Sequence, residues 1–300
     1  MKHIVFFCDW QMLPGLHVSL LSLLESLGNG DPAHIVVFAD NIPESEKALL
    51  QKTHQLQPTN TTFEIRDYSA EKLKGGSDLH GNTTGYGVFY LADELLPNVD
   101  LCLKLDSDIL VNTNVNKMFE YFDNEHVLLV DGTAKRDWDR HKELYKTAGL
   151  DMTKPCFNAG ITGMNLKLWR ERKITQLCQK VALEYTDMLA GSDQAILNVA
   201  LQDDFLAWGS RYNTSLRLKN PTISKMEDVI YHFVGAPKPW DLFGNRLHNN
   251  YAIWKSVYDR TAAGKVPLRR YISIKRSRKI WRSVVRVWMN NRKTKSGDSE

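Results

Sequence analysis

From His3 to Arg66 the chain alternates between two residue periods, and that alternation limits the folds open to it. His3–Cys8, His34–Ala39 and Thr61–Arg66 are short runs rich in β-branched and aromatic residues. Leu16–Leu27, closed by Gly28, and Pro43–Gln55 carry apolar residues at helical spacing, the second with Pro near its first turn. Strand, helix, strand, helix, strand with short connections predicts an α/β fold with a mostly parallel sheet covered on both faces. Ligands of such sheets bind outside the carboxyl ends of the strands. Asp9, just after the first strand, is therefore placed on the ligand-bearing rim.

A later run, Leu101–Val111 (LCLKLDSDILV), joins the same rim with more chemistry. Its apolar lead-in reads as a buried strand, and it stops on two carboxylates one residue apart. Side chains at i and i+2 of extended backbone point the same way, so Asp106 and Asp108 can converge. Two converging carboxylates raise each other's pKa and cost stability unless a cation offsets them. A hard divalent ion with oxygen ligands is the natural partner, although the same DxD pattern also occurs in plain surface turns. Between these segments lie a turn-rich stretch, Lys74–Gly87, and an apolar helix predicted near Val88–Leu96. Val127–Val130 is another buried run, ending on Asp131.

With 300 residues, 43% hydrophobic and 25% charged, the chain has the composition of an ordinary globular protein. No apolar run approaches the length of a membrane-spanning helix. The apolar stretch before Asp9 is too short for a secretory signal, so a cytoplasmic location is expected. Cys8, Cys102, Cys156 and Cys178 are far apart in apolar contexts, which predicts buried free thiols rather than disulfides or a zinc site. Charge is unevenly spread. From Arg260 onward there are 13 Lys or Arg and two acids, a balance of +11, which leaves −7 for residues 1–259. Within that tail Ile274, Trp281, Val285 and Trp288, flanked by Ile280 and Val284, recur at helical spacing among Lys275, Arg276, Arg278, Lys279, Arg282 and Arg286. This pattern predicts a helix lying on an anionic membrane surface, in preference to a helix packed on the main domain or a nucleic-acid contact. The expected organisation is a catalytic domain over residues 1–262 and a basic, Trp-containing tail over 263–300.

Three further segments complete a pattern: Phe157–Arg170 (FNAGITGMNLKLWR), a small-residue strand opening a helix that should reach about Tyr185; Gly191–Asn198 (GSDQAILN), a helix start with Ser192 as its cap; and Ile230–Trp240 (IYHFVGAPKPW), a His after an apolar strand. Together with the DxD strand they resemble glycosyltransferase family 8 over roughly residues 3 to 260. These are retaining enzymes that include bacterial lipopolysaccharide galactosyl- and glucosyltransferases and glycogenin. The resemblance implies a GT-A nucleotide-diphospho-sugar transferase fold and transfer of galactose or glucose from UDP-galactose or UDP-glucose to a hydroxyl. The acceptor would be a glycan or glycolipid such as lipopolysaccharide, and the basic, Trp-containing tail adds the expectation that it is met at the inner face of the plasma membrane.

By the same resemblance Asp106, Asp108 and His232 would be the metal ligands. Two oxygens and one imidazole suit Mn2+ better than Mg2+, which stays the alternative. Lys238 would contact the diphosphate, Gly235 would let backbone approach it, and Phe7, Asp9 and Gln11 would grip uracil. Asn158, Asp193 and Gln194 would surround the donor sugar, with Asp131 near donor or acceptor hydroxyls. Members usually carry a basic residue before the DxD strand, whereas Thr83–Leu96 has none. Two other classes share parts of the pattern. A phosphohydrolase of the haloacid dehalogenase type also uses a strand followed by DxD, but Leu110 stands where that motif wants Thr or Val. A noncatalytic nucleotide-sugar-binding relative would keep the fold without turnover.

Overall fold

The first predicted strand is β1, Lys2–Asp9, and its alternation shows why it lies at the centre of a sheet. Ile4, Phe6 and Cys8 belong to the core on one face, while Val5 and Phe7 belong to the core on the other. In the computed structural model, residues 1–69, 84–189 and 192–272 are described, with 277, 278 and 281. β1 pairs in parallel with β2 (Ala33–Asp40) and with β4 (Leu101–Leu105), and β2 with β3 (Thr61–Tyr68). Beyond β4 come β7 (Pro155–Asn165), β6 (Leu128–Lys135) and β8 (Phe205–Ala207), in the order β3-β2-β1-β4-β7-β6-β8. Only β7 runs against its two neighbours. A small second sheet, in the order β5-β10-β9, joins β5 (Ile109–Val111), β9 (Thr214–Ser215) and β10 (Ile230–His232). The α/β class with a mostly parallel sheet and helices on both faces is as the sequence predicts.

The helix Leu13–Leu27 follows β1 after a short turn, Trp10–Met12, that Asp9 caps: its Oδ1 accepts from the Gln11 and Met12 amides at 2.9 and 3.0 Å. That helix lies against the DxD turn. A Cβ on Gly15 would come within 2.3 Å of the Ser107 carbonyl oxygen and 2.4 Å of the Trp240 ring, so no side chain fits there. The same helix buries His17, whose Nδ1 is 2.8 Å from Thr53 Oγ1 on the next helix, Glu44–His54. Burial drives its pKa from 6.5 to about 3. The folded protein therefore refuses a proton that the unfolded chain accepts below pH 6.5. Stability is expected to fall by about 1.4 kcal/mol per pH unit as the pH drops through that window, an upper slope for one group. Urea unfolding midpoints at pH 7 and 5 check this, and His17→Gln should flatten the dependence.

Local structure departs from expectation in two places. Val88–Leu96 is not a regular α-helix. A 3-10 stretch, Gly85–Tyr90, runs into a π-turn, Leu91–Leu95, because Phe89, Tyr90 and Leu91 all pack into the core and the backbone winds to suit. The helix expected to reach Tyr185 is two, Leu166–Glu171 and Ile174–Glu184, broken at Lys173, whose φ of 55° no helix continues through. Residues 266–272 lie against the main body: Tyr271 is buried, its hydroxyl donates to Glu46 Oε2 at 2.9 Å, and Arg270 pairs with the same carboxyl at 2.8 Å. The rest of the basic stripe, Trp281 and Arg278 apart, lies outside the described residues, as does most of Lys74–Gly87. All four cysteines are buried and free, as predicted. Among the described residues no helix is long and apolar enough to cross a membrane.

Candidate active site

β4 delivers the two carboxylates. As it ends, the Asp106 amide donates to the Gly160 carbonyl of β7 at 2.7 Å, and Ser107 Oγ donates to the Phe7 carbonyl of β1 at 2.9 Å. The turn is thus tied to both neighbours before its second Asp emerges. Chain then folds back as β5, which pairs antiparallel with β10, placing His232 opposite Ile109. The Phe233 amide donates to the Asp108 carbonyl at 2.9 Å. This pairing brings an imidazole from late in the chain onto the DxD turn. His232 Nε2 lies 3.3 Å from Asp108 Oδ1 and 3.7 Å from Asp106 Oδ2. One ligand atom from each of Asp106, Asp108 and His232 falls within 4.8 Å of the others.

The donor set fits a divalent cation. Asp108 Oδ1 is buried with no hydrogen-bond partner among the described residues, a cost that a bound cation would remove. Burial opposes ionisation of Asp108, yet the Lys238 ammonium beside it holds the carboxyl well below the usual range. Lys238 Nζ pairs with Asp108 Oδ2 and also donates to the Phe233 carbonyl. His232 Nδ1 is 2.8 Å from Asn213 Oδ1, an arrangement that puts the ring proton on Nδ1 and leaves the Nε2 lone pair facing the carboxylates.

From Asn213 a chain of side-chain amides leads away from the cluster. Asn213 Nδ2 donates to Asn158 Oδ1 at 3.0 Å, Asn158 Nδ2 to Gln194 Oε1 at 2.9 Å, and Gln194 Nε2 to Asp139 Oδ2 at 3.3 Å. Asn158 sits on β7, and Gln194 at the start of the helix Asp193–Leu201, which Ser192 caps as predicted: its Oγ accepts from the Ala195 amide at 3.3 Å. Asp193 is half-buried beside them. Burial raises its pKa, Lys104 opposes the rise, and the like charge of Asp106 adds to it.

The remaining predicted residues divide. Gly235 adopts φ +90°, a backbone conformation that favours glycine, with open space where a Cβ would be. Asp131 stands opposite Asn158 in the sheet, but its Oδ1 accepts from the Thr133 amide and hydroxyl. Phe7 is a core side chain, its ring 4.9 Å from Phe38 and pressed under Gly87. The Gln11 carbonyl accepts from Trp240 Nε1 at 2.9 Å, which ties the turn after β1 to the loop that carries Lys238.

Sequence reasoning passed over Lys104, Asn213, Asp139 and Gly160. Lys104 was visible in outline: a charge inside the apolar run LCLKL, two residues before Asp106 and so on the same face. It is 3% exposed, and its Nζ donates to Asp106 Oδ1 at 2.5 Å and to the Ala159 carbonyl at 3.0 Å. Burial works against its charge, but Asp106, with Asp193 and Asp108, holds the ammonium protonated. Asn213 lies in no motif, and only the fold brings it to His232.

The family described as Glycosyl transferase family 8 matches residues 3–243. The chain belongs to glycosyltransferase family 8. Among curated proteins similar to this family member is the glycosyltransferase GlyF of Streptococcus pneumoniae, 26% identical over 264 residues, which cover 85% of this chain and 62% of that protein. The lipopolysaccharide 1,3-galactosyltransferase of Salmonella typhimurium is 25% identical over 254 residues, 81% of this chain and 74% of that one. The chain thus spans less than two thirds of GlyF. A solved galactosyltransferase, LgtC in complex with donor and acceptor sugar analogues, superposes with a TM-score of 0.69 over 90% of this chain and all of that chain, at 18% identity. The expected GT-A architecture is therefore shared with a solved transferase.

Proposed function

We propose that this family 8 glycosyltransferase is a retaining hexosyltransferase that moves galactose or glucose from a UDP-sugar to a hydroxyl of a cell-surface saccharide, such as a lipopolysaccharide. The observation that carries the reading is the convergence of Asp106, Asp108 and His232 on one point, with Lys238 on the carboxylate that faces it. Asp106 Oδ2, Asp108 Oδ1 and His232 Nε2 would hold Mn2+, which when bound supplies a Lewis acid to the departing diphosphate. Mg2+ would serve less well, since imidazole suits the softer ion. Lys238, released from Asp108 once the cation is present, adds a point charge where the leaving group gains negative charge.

Strand order supports the direction of the substrates across the rim. Asp9 ends β1, Asp106 and Asp108 follow β4, Asn158 lies on β7 and Asp131 on β6. A donor with its uracil near Asp9 and Gln11 and its diphosphate at Asp106 and Asp108 brings its hexose to Asn158, Asp193 and Gln194. The acceptor then enters from the β6 side, where Asp131 lies. There Trp138, 80% exposed and next in sequence to Asp139, offers an aromatic face to a sugar ring.

Gln194 is held at both ends of its amide, by Asn158 and by Asp139, and an amide is a poor nucleophile beside a carboxylate. Front-face substitution follows: the C1–O bond to the diphosphate breaks, the acceptor oxygen bonds C1 from the same face, and its proton passes to the departing diphosphate oxygen. A glycosyl adduct trapped on Asp193 would contradict this. UDP release from a panel of UDP-sugars with Mn2+ is the primary test. Turnover of UDP-galactose or UDP-glucose supports the transferase, and silence across the panel supports a noncatalytic binder.

The basic tail adds a membrane contact to this reading, with the protein held peripherally on the inner face of the plasma membrane. Because residues up to 272 are anchored through Tyr271 and Glu46, the cut that tests it falls after Ile272. Truncation there should abolish binding to vesicles containing anionic lipid and leave UDP-sugar hydrolysis unchanged; undiminished vesicle binding would refute the tail's role.

A further inference from the structure

Lys104 is a charged side chain in the middle of β4, between Val5 of β1 and Thr162 of β7. A lysine so buried costs stability unless its ammonium is paired, and the fold itself has no use for a charge at that point in a central strand. Its pairing is specific. The ammonium takes Asp106 Oδ1 and the Ala159 carbonyl, leaving only Asp106 Oδ2 directed at His232 Nε2. Asp108 is divided in the same way, its Oδ2 on Lys238 and its Oδ1 toward the imidazole.

The two lysines differ in freedom. Lys238 rides on a loop and can leave Asp108 for a phosphate. Lys104 is fixed in a strand paired on both sides, so the outer oxygen of Asp106 stays engaged whatever binds. Building on the transferase reading above, we infer that Lys104 is a positioning residue that confines Asp106 to one-oxygen ligation and so makes the site select manganese against calcium. Calcium takes about six to eight oxygens at long distance, commonly with a carboxylate in bidentate mode. A site in which Asp106 gives one oxygen only, beside Asp108 and an imidazole, suits the smaller, softer ion. With Lys104 gone, Asp106 can rotate and present both oxygens, and the preference should shrink.

The test reads metal binding by the full chain with UDP present: Mn2+ affinity from the electron paramagnetic resonance signal of free Mn2+, and Ca2+ affinity by competition. Lys104→Met is expected to lower the ratio of Mn2+ to Ca2+ affinity by about tenfold or more, the scale at which partners of metal ligands usually act. Lys104→Arg, which keeps a donor on Asp106, should hold the ratio near that of the native chain. If Lys104→Met fails to fold, the same ratio is read on Lys104→Gln. An unchanged ratio overturns the inference, as does a native chain with no preference for Mn2+. The two readings fail separately: a native chain that hydrolyses UDP-hexose and prefers Mn2+, yet keeps its ratio in Lys104→Met, removes only the role of Lys104. A native chain that neither binds Mn2+ nor releases UDP removes both.

Discussion

Asp108→Asn is expected to lower Mn2+-dependent UDP release by about 10³-fold or more, the scale on which loss of an essential electrostatic group at a reacting centre is felt. The substitution keeps the volume of the side chain and removes its charge. Asp108 is 5% exposed, with one oxygen on the Lys238 ammonium and the other unpartnered and facing His232. An amide in its place must turn its NH2 either toward Lys238, donor against donor, or toward the point where the cation would sit. The first leaves a neutral carbonyl oxygen where a carboxylate oxygen stood, and the second removes the ligand atom. The substitution also strands Lys238 beside a neutral group, and breaking a buried ion pair on one side typically costs about 3–5 kcal/mol. The measurement pairs UDP release with Mn2+ binding, and activity within tenfold of the native chain would exclude Asp108 from the metal site.

Gly160→Ala should be nearly as damaging for a different reason. Gly160 sits on β7 directly beneath the cluster, and a Cβ there would lie 2.3 Å from His232 Cε1 and 2.9 Å from both Asn158 Oδ1 and Asp106 Oδ2. One methyl group would meet the imidazole, the Asp106 carboxylate and the hub of the amide chain at once. None of the three can yield alone: His232 is held by Asn213, Asp106 by Lys104, and Asn158 by Gln194 and Asn213. Overpacking of this kind costs about 1–3 kcal/mol of stability, which a marginally stable domain survives. Displacing a ligand or the reacting groups by about 1 Å costs catalysis about 10²-fold. The expected result is a folded protein with a lowered melting temperature, weakened Mn2+ binding and kcat/KM down by about two orders of magnitude. Native-like metal binding in Gly160→Ala would mean that the cluster sits elsewhere.

Much of the architecture was legible because apolar periodicity reports burial directly. β1, β2 and β3 lie where short runs of β-branched and aromatic residues placed them, and LCLKL is a strand because its residues are buried on both faces of the sheet. Legibility failed where two periods fit equally well. Val88–Leu96 is apolar nearly throughout, so the pattern identifies a buried segment without saying whether it winds as α, 3-10 or π, and packing of Phe89 and Tyr90 decides. The break at Lys173 was hidden because lysine ordinarily favours helix; only the left-handed backbone shows the corner.

The site divides along the same line. By itself the sequence determined the candidate ligand types: a carboxylate pair at the exit of a buried strand, a histidine after a later one, and glycines where backbone must come close. Those follow from chemistry carried within a few residues, which local spacing records. Tertiary structure alone decided which side chains gather at the candidate cation site. The pairing of β5 with β10 brings His232 to Asp108, and the placement of β7 beside β4 sets Gly160, Asn158 and the Lys104 acceptor Ala159 around them. Contacts between residues far apart in sequence depend on strand register, and register is set by the packing of the whole sheet rather than by any short segment.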